Sequence, residues 1–569
     1  MKIAVAQLNY VVMNFEFNFN KIFNVLYKFK DADLIIFSEL CITGYYPYDF
    51  LFYPDAIDKQ NQVINKIKNL TLLLGLTVVI GVVKEIPKIK KFYNSALVIS
   101  FGKVVFNYNK QLIPNYGIFN EARHFVSGNN SPIFTLNNKK IALLICEDIW
   151  YKKELGYLLN PLDQLPDQGL DLIITINASP SVMGKIERRT ALVRSLAIKK
   201  SSPVVYCSQV GGYDNIVYDG SSFVCNCYGQ LIKAAKSFQE DIILIDLPIV
   251  IRKDSIVKKF FQVSDNPFSF IFNQIILGLR DYVRKCGSKM VVIGCSGGVD
   301  SAVSIALAVI ALEKENVIAI TMPGPYSSQA SIDDSIELCK RLRNRIFIHD
   351  INEEFSLACK NFENTFGIKP NQRTQENIQA RIRGRVTMEY SNHFGSLVLT
   401  TGNKSELAVG YTTIYGDMCG ALNCIGDLYK TDVYELAHYI NRQYEMLIPE
   451  QILSKPPSAE LSSNQKDCDS LPDYYLLDAV LKLYLDQDTL TESEILFLKK
   501  TTSRLDQDEK NKIHALIESS EFKRKQSPQI LVISSKHLIF NRNVPISSGI
   551  LLSQDLVEVV GIEPTSKKL

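Results

Sequence analysis

The sequence predicts an α/β protein in two halves, a layered sandwich of sheets faced by helices and then a doubly wound parallel sheet. Three observations carry this. Up to residue 247, short β-runs, several of them adjacent, mix with stretches of helical spacing. The segment 248–268, with a charged stretch over 252–259, breaks that rhythm and reads as a linker. From residue 269 a strict strand–loop–helix alternation begins, the pattern of a parallel sheet. At 569 residues the chain is too long for one core, so two or three domains are expected.

In the first half, strands are expected over 3–7, 34–37, 78–83, 96–99, 103–108, 141–145, 172–177, 204–208, 222–225 and 242–247. Helical spacing marks 20–29, 61–73 and 187–199. In the second half a helix over 273–285 leads into a strand over 290–293, and further strands follow over 317–322, 346–350 and 397–400. Helices are expected over 302–312, 332–342 and 376–394. The domains so read are 1–247, a linker 248–268, 269–546, and a tail 547–569 without clear periodicity.

Composition narrows the class. With 46% hydrophobic and 22% charged residues the chain reads as a soluble globular protein. A net charge of +3 is small for this length and gives no case for a nucleic-acid partner; the lysines over 88–91 read as a solvated loop. Residues 1–8 alternate like a buried strand rather than a signal peptide, and the longest apolar stretch, 72–83, is too short to cross a bilayer. A cytoplasmic protein without a membrane partner is expected. The twelve cysteines form no Cys-x-x-Cys pair and the six histidines do not fall at metal-ligand spacing. Most of the cysteines are expected to be reduced and buried.

Residues 294–301 read Gly-Cys-Ser-Gly-Gly-Val-Asp-Ser, between the apolar run 290–293 and the helix-like run 302–312. Strand, glycine loop and helix in that order make a cradle for phosphate. Gly297 and Gly298 carry no Cβ, so the backbone can turn there and approach a ligand. Loop N–H groups and the helix N-terminus face the anion with partial positive charge, and Ser296 and Ser301 add hydroxyls. The Gly-x-x-x-x-Gly-Lys-Ser/Thr pattern is found nowhere, so no such lysine reaches over a γ-phosphate. The loop therefore suits a pyrophosphate, which points to ATP being split into AMP and pyrophosphate. A plain glycine turn is the bland alternative.

Other strand ends of this half extend the argument. Thr321-Met-Pro-Gly-Pro-Tyr-Ser-Ser falls where a nucleotide-contacting loop is expected. Asn377, Arg381 and Arg385 stand at i, i+4 and i+8 of the helix over 376–394, a face that suits phosphate groups or, equally, solvent. Thr400-Thr-Gly-Asn-Lys-Ser-Glu follows the strand over 397–400, so Glu406 and Asp300 are candidates to meet across the ATP phosphates. Mg²⁺ takes one or two carboxylates plus phosphate oxygens, which this pair can supply.

The first half holds a second chemical centre. The strand over 141–145 ends at Cys146, followed by Glu147 and Asp148, where a sharp turn would present a nucleophile. A cysteine beside two carboxylates has a raised thiol pKa and needs a base and a cation. Glu39 and Lys110, each just after another expected strand, are candidates. Glutamate, lysine and cysteine at three strand ends suit amide hydrolysis, with the glutamate as base, the lysine stabilising the oxyanion and the cysteine forming the acyl intermediate. Taken singly, each reads more readily as a structural thiol or a surface charge.

Phe37-Ser-Glu-Leu-Cys-Ile-Thr-Gly-Tyr, Tyr108-Asn-Lys-Gln-Leu-Ile-Pro-Asn-Tyr-Gly-Ile-Phe-Asn-Glu and Leu144-Ile-Cys-Glu-Asp-Ile-Trp together resemble the nitrilase/amidase superfamily, and within it the glutaminase domain of glutamine-dependent NAD synthetases. The resemblance implies an α-β-β-α sandwich with Glu39 as general base, Lys110 as oxyanion stabiliser and Cys146 as nucleophile. It also implies Glu121 as an accessory acid at the glutamine site, and Tyr116, Ser179 and Lys185 lining the glutamine pocket.

In the second half, Gly402-Asn-Lys-Ser-Glu-Leu-Ala-Val-Gly-Tyr, Gly426-Asp-Leu-Tyr-Lys-Thr-Asp-Val-Tyr-Glu-Leu and Lys455-Pro-Pro-Ser-Ala-Glu-Leu, followed by Asn464-Gln-Lys-Asp-Cys-Asp-Ser-Leu-Pro, resemble NAD synthetases. This implies a Rossmann-like, PP-loop ATP-binding domain. ATP contacts are implied at Gly294, Cys295, Ser296, Gly297, Gly298, Val299, Asp300, Ser301 and Thr401. Contacts to deamido-NAD are implied at Asn377, Arg381, Glu406 and Lys523, and Mg²⁺ at Asp300 and Glu406. A homo-oligomer joined through this domain is also implied. The resemblance spans about residues 1–545; the family's glycine- and arginine-rich ending is diluted here over 534–546.

The activity so implied is ATP-dependent amidation of deamido-NAD to NAD, with L-glutamine hydrolysed for its ammonia and AMP, pyrophosphate and glutamate released. Two rivals stand beside it. One is a related PP-loop amidotransferase acting on another carboxylate or nucleotide acceptor. The other is a catalytically silent binding protein on inherited domains, which would require decay at the reactive positions.

Overall fold

Strand β1 (Lys2–Gln7) buries both of its faces. Ile3 and Val5 join a core with strands of a second sheet, whereas Ala4 and Ala6 join a separate core beneath two helices. A period of two puts alternate residues on opposite faces, so one strand already implies a layered sandwich. The computed structural model describes residues 1–249, 266–463, 465–539, 542 and 544–547. It comprises two compact units, Met1–Tyr213 with Val217–Pro267, and Asp214–Ile216 with Phe268–Leu569.

The first unit continues through α1 (Phe15–Lys28), β2 (Leu34–Ile36), α2 (Ala56–Leu74), β3 (Thr77–Glu85), β4 (Phe92–Ser100) and β5 (Lys103–Asn109). Then come β6 (Ile133–Leu136), β7 (Lys139–Ile145), β8 (Leu172–Asn177), α3 (Lys185–Lys199) and β9 (Val204–Ser208). The hairpin β10 (Val210–Tyr213) and β11 (Ile216–Asp219), then β12 (Phe223–Cys225), β13 (Leu231–Ala234) and β14 (Asp241–Asp246), complete it. One sheet has the order β14-β1-β2-β3-β4-β5 and the other β13-β12-β9-β8-β7-β6. Ile22 and Leu26 of α1 and Ile67 of α2 cover one outer face, and Val193, Leu196 and Ala197 of α3 pack with the other sheet. The layers are therefore α-β-β-α.

Strand direction gathers the reactive ends. β2 and β3 are parallel, and β3-β4-β5 alternate, so β2 and β5 point the same way. In the facing sheet β7, β8 and β9 are all parallel.

The second unit contains α4 (Pro267–Lys285), β15 (Val291–Gly294), α5 (Val299–Leu312), β16 (Val317–Thr321), α6 (Gln329–Leu342), β17 (Arg345–Ile348), α7 (Asn352–Phe366) and α8 (Gln372–Phe394). β18 (Leu397–Thr400), α9 (Lys404–Val409), β19 (Leu422–Asn423) and α10 (Lys430–Gln443) follow. The chain ends its described helices with α11 (Glu450–Ser454), α12 (Tyr474–Leu485), α13 (Glu492–Thr502), α14 (Gln507–Ser519) and α15 (Glu521–Arg524), before β20 (Gln529–Ile530). The sheet order is β17-β16-β15-β18-β19-β20 with every neighbour parallel. The winding reverses between β15 and β18, the place where such sheets bind ligands.

Element boundaries differ from the sequence expectation for identifiable reasons. α1 starts at Phe15 rather than 20 because Asn14 caps it, its side chain accepting from the Phe17 N–H. α8 starts at Gln372 rather than 376, capped in the same way by Asn371. α7 was not expected, although Phe355, Ala358, Cys359, Phe362 and Phe366 fall at helical spacing; of these only Phe355 is buried. β19 and β20 are two residues each and carry no periodicity. The charged stretch 252–259 of the expected linker and the tail from 548 lie outside the described residues. Among the described residues no helix is long and apolar enough to cross a membrane.

Candidate active sites

Glu39 follows β2, Lys110 follows β5 and Cys146 follows β7, and each is at most 6% exposed. The Lys110 ammonium donates to Glu39 Oε1 at 2.8 Å and to Glu121 Oε1 at 2.7 Å, so one cation joins two carboxylates. Glu39 Oε1 also accepts from Asn94 Nδ2 at 2.7 Å, and its Oε2 accepts the Ala178 N–H at 2.9 Å. Tyr45 donates its hydroxyl to Glu121 Oε1 at 2.7 Å. Both carboxylates are thereby fixed in orientation. Cys146 opens the tight turn Cys146–Ile149 with φ of +43°, a left-handed backbone that non-glycine residues rarely adopt. Such strain is kept where the surroundings over-determine it.

Burial pushes the Cys146 thiol well above its ordinary value, with Glu39 adding to the effect and Lys110 opposing it. Burial also raises the Glu121 carboxyl, against Lys110. For Lys110 burial acts downward, yet Glu121, Glu39 and Cys146 hold the ammonium well above its usual range. A lysine ammonium, an anchored glutamate and a buried thiol form a set able to transfer a proton and attack a carbonyl. Around them, Glu147 Oε1 accepts from Tyr116 at 2.9 Å and from Tyr157 at 3.0 Å. The Lys185 ammonium lies 4.0 Å from the centre of the Trp150 ring. Ser179, just beyond β8, is buried.

In the second unit a cavity of about 300 Å³ opens at the carboxyl ends of β15, β16 and β18. Loop 294–301 forms one wall. α5 begins after Gly298 with no side-chain cap, so its first-turn N–H groups are available to an anion. Ser301 Oγ donates to Gly298 O at 3.0 Å and lies 3.1 Å from Ser296 Oγ, bracing the loop. Gly297, with φ of +76°, turns towards α6: a Cβ there would stand 2.4 Å from Ser331 O. Its glycine is demanded by packing, whereas Gly298 lines the cavity.

Asp300 and Glu406 meet across a third residue. The Lys430 ammonium bonds Asp300 Oδ2 and, at 3.2 Å, Glu406 Oε1. Asn403 caps α9 by accepting the Glu406 N–H at 3.0 Å, and its Nδ2 donates to Asp300 Oδ1 at 3.0 Å. Burial lifts Glu406 to about 8, Lys430 opposing and Asp300 and Asp467 adding. Hard carboxylate oxygens from two elements, beside a phosphate cradle, fit a divalent cation that takes its remaining oxygens from phosphate. Among the described residues no group of three or more His, Cys, Asp or Glu forms a complete metal site by itself.

The comparisons with known proteins follow this division. The carbon–nitrogen hydrolase family pattern matches residues 2–252, and the NAD synthase pattern matches 271–527. A glutamine-dependent NAD(+) synthetase from Acinetobacter baylyi is 36% identical over 555 residues, covering 96% of this chain and 98% of that one. The chain belongs to the glutamine-dependent NAD(+) synthetases. Membership makes it a ligase of the glutamine-hydrolysing NAD(+) synthase class. The Thermotoga maritima synthetase is also 36% identical, with the same shares covered. Among solved structures, the Acinetobacter baumannii synthetase in complex with ADP matches at TM-score 0.72 and 34% identity, covering 96% of this chain and 98% of that one. The Cytophaga hutchinsonii synthetase, 18% identical with TM-score 0.79 and 99% of each chain covered, shares the fold.

Within this synthetase fold the residues expected from sequence gather in three places. Glu39, Lys110, Glu121 and Cys146 are brought together as above. Of the ATP-contact set, all but Gly297 line the cavity, Thr401 included, and so does Glu406, expected at deamido-NAD and Mg²⁺. Asn377, Arg381 and Lys523 converge instead on the segment 410–414. Asn377 Oδ1 accepts from Thr413 Oγ1 at 3.0 Å, Arg381 Nε donates to Ile414 O at 3.3 Å, and Lys523 Nζ donates to Gly410 O at 2.7 Å and Thr412 O at 2.8 Å. Arg385 pairs with Glu354 on the exposed side of α8. The arginine that α8 turns to the cavity is Arg383, whose Nε donates to Met322 O at 3.0 Å and whose guanidinium burial lowers to about 10. Sequence reasoning missed Arg383, Lys430, Asn403 and Tyr157. Ala380 and Gly384, small residues four apart, were the available signal for Arg383: a Cβ at Gly384 would meet Gly416 O at 2.8 Å, so this face must pack closely.

Proposed function

We propose that the first unit hydrolyses L-glutamine and that the second uses the ammonia to amidate deamido-NAD. Glu39 takes the Cys146 proton as the sulfur attacks the glutamine amide carbon. Lys110 stabilises the oxyanion, and the proton passes to the departing ammonia. Water activated by Glu39 then cleaves the thioester and releases glutamate. Lys185 holds the α-carboxylate of glutamine, and Glu147, presented by Tyr116 and Tyr157, pairs its α-ammonium. The observation that carries this reading is the buried Lys110 ammonium shared by Glu39 and Glu121, with a buried Cys146 held in a left-handed backbone.

In the second unit the loop Gly294–Ser301, with Thr401, grips ATP; that the related A. baumannii synthetase is solved in complex with ADP supports an adenine nucleotide as a ligand. The nicotinate carboxylate of deamido-NAD is a poor electrophile, and transfer of AMP to its oxygen creates a leaving group, with pyrophosphate released. Ammonia then displaces AMP to give NAD. Asn377, Arg381, Glu406 and Lys523 hold the dinucleotide. Asp300 and Glu406 would hold Mg²⁺, which when bound neutralises phosphate charge.

The test separates the units. Cys146→Ala is expected to abolish glutamine-supported NAD formation and leave ammonium-supported formation intact, while Asp300→Ala cripples both. Loss of both routes, or of neither, in Cys146→Ala would sink the two-site reading.

A further inference from the structure

Asp148 touches no reacting group, yet its carboxylate joins the chain on both sides of the amidase site. It is fully buried within the turn Cys146–Ile149. Its Oδ1 accepts the backbone N–H groups of Gln111 and Leu112, each at 2.9 Å. Its Oδ2 accepts the Ile145 N–H at 3.0 Å and the Tyr108 hydroxyl at 2.9 Å. Ile145 immediately precedes Cys146, Gln111 and Leu112 immediately follow Lys110, and Tyr108 lies two residues before it. One carboxylate therefore ties the nucleophile's turn to both flanks of the lysine.

The physical need for this tie is plain. β5 and β7 stop at Asn109 and Ile145, and beyond a strand end buried N–H groups lose their ladder partners. Asp148 supplies acceptors for both strand ends at once. Cys146 holds a left-handed backbone that persists only while its neighbours enforce it, and the bond to the Ile145 N–H acts on the adjoining peptide. Glu147 and Asp148, adjacent in sequence, thus act in opposite directions, one held by tyrosines beside the thiol and the other locked into backbone.

We infer that Asp148 is a positioning residue for the amidase step, fixing the Cys146 sulfur relative to the Lys110 ammonium. This rests on the glutamine-hydrolysing reading proposed above. In Asp148→Asn the amide oxygen can still serve Gln111 and Leu112, but its NH₂ faces the Ile145 N–H, donor against donor. Glutamate release should fall about 100-fold in kcat, the penalty for misplacing reacting groups by about 1 Å, with KM for glutamine little changed. The pH profile of Cys146 alkylation by iodoacetamide should shift with it, while ammonium-supported NAD formation holds. Tyr108→Phe removes a single donor, and a loss of about fivefold is expected.

An unchanged kcat and alkylation profile in Asp148→Asn would overturn the inference. So would a fall in ammonium-supported synthesis equal to the fall in glutamate release, since that marks general destabilisation. If Asp148→Asn does not fold, Tyr108→Phe decides, and wild-type kcat and alkylation in it overturn the proposal. Full glutamine-supported activity in Cys146→Ala would instead overturn the underlying reading.

Discussion

In the first unit a lysine ammonium lies between two carboxylates, Lys110 between Glu39 and Glu121; in the second, Lys430 lies between Asp300 and Glu406. The charge patterns match, but their surroundings do not. Around Lys110 each carboxylate has further donors, Asn94 and Ala178 on Glu39 and Tyr45 on Glu121, and the residues are closed off by both sheets. Asp300, Glu406 and Lys430 all line a cavity of about 300 Å³. In the proposed reaction the cation locked among fixed partners takes part in the amide chemistry. A cation at a cavity wall is a counter-ion whose partners can be shared with an arriving phosphate and metal.

Removing the locked cation should therefore do the greater damage. Lys110→Met leaves Glu39 and Glu121 buried without their counter-charge, a loss of about 3–5 kcal/mol of stability. Glutamate release should drop at least about 10³-fold, because the oxyanion loses its stabilising charge as well. Differential scanning calorimetry and a glutamate assay read the two effects; a variant with near-normal turnover would break the contrast. At the open site the expected change is smaller and falls on affinity. Asn403→Ser keeps an oxygen to cap α9 but cannot reach Asp300 as the amide does. Losing that support should weaken apparent Mg²⁺ affinity about tenfold, as for other residues that orient metal ligands. Mn²⁺ binding followed by electron paramagnetic resonance, alongside Mg²⁺ titration of ammonium-supported synthesis, checks it. Unchanged binding would show that Lys430 alone organises the pair.

The same contrast explains what the sequence made legible. Glu39, Lys110 and Cys146 each terminate a clear β-run, so strand periodicity alone puts them at sheet edges. Strand direction, which brings those edges together, depends on pairing between distant segments and is not written locally. Loop 294–301 was readable because strand, glycines and helix are contiguous. Lys430 was not, since the strand before it, β19, spans only Leu422–Asn423. The face of α8 was assigned from its charges, Arg381 and Arg385, whereas packing of Ala380 and Gly384 against the 413–416 segment decides which arginine enters the cavity. Charge spacing describes a helix surface; small residues tell which side is covered. Glu147 and Asp148 read as one acidic pair, although burial and Glu39 are larger causes of the raised thiol pKa than Glu147.

The last way to sharpen the comparison is pH, and Lys185 supplies it. Its burial in the first unit, with Arg189 and Arg188 adding, lowers the ammonium to about 8 from an ordinary 10.5. Unlike Lys110, it has no carboxylate in hydrogen-bond contact among the described residues; its ammonium rests over the Trp150 ring. A lysine with a lowered pKa is charged below that value and neutral above it. The cation proposed to hold the glutamine α-carboxylate is thus present at pH 7 and lost as pH rises through about 8. KM for glutamine should climb about fivefold between pH 7 and 9, of the order expected for one charge-assisted hydrogen bond in a half-open site. Lys185→Arg keeps its charge throughout, so its KM should stay level over that range. The reading is made by glutamate release, because ammonium-supported synthesis changes with pH through its own substrate. A wild-type KM that stays flat from pH 7 to 9 would show that Lys185 is not the carboxylate's partner.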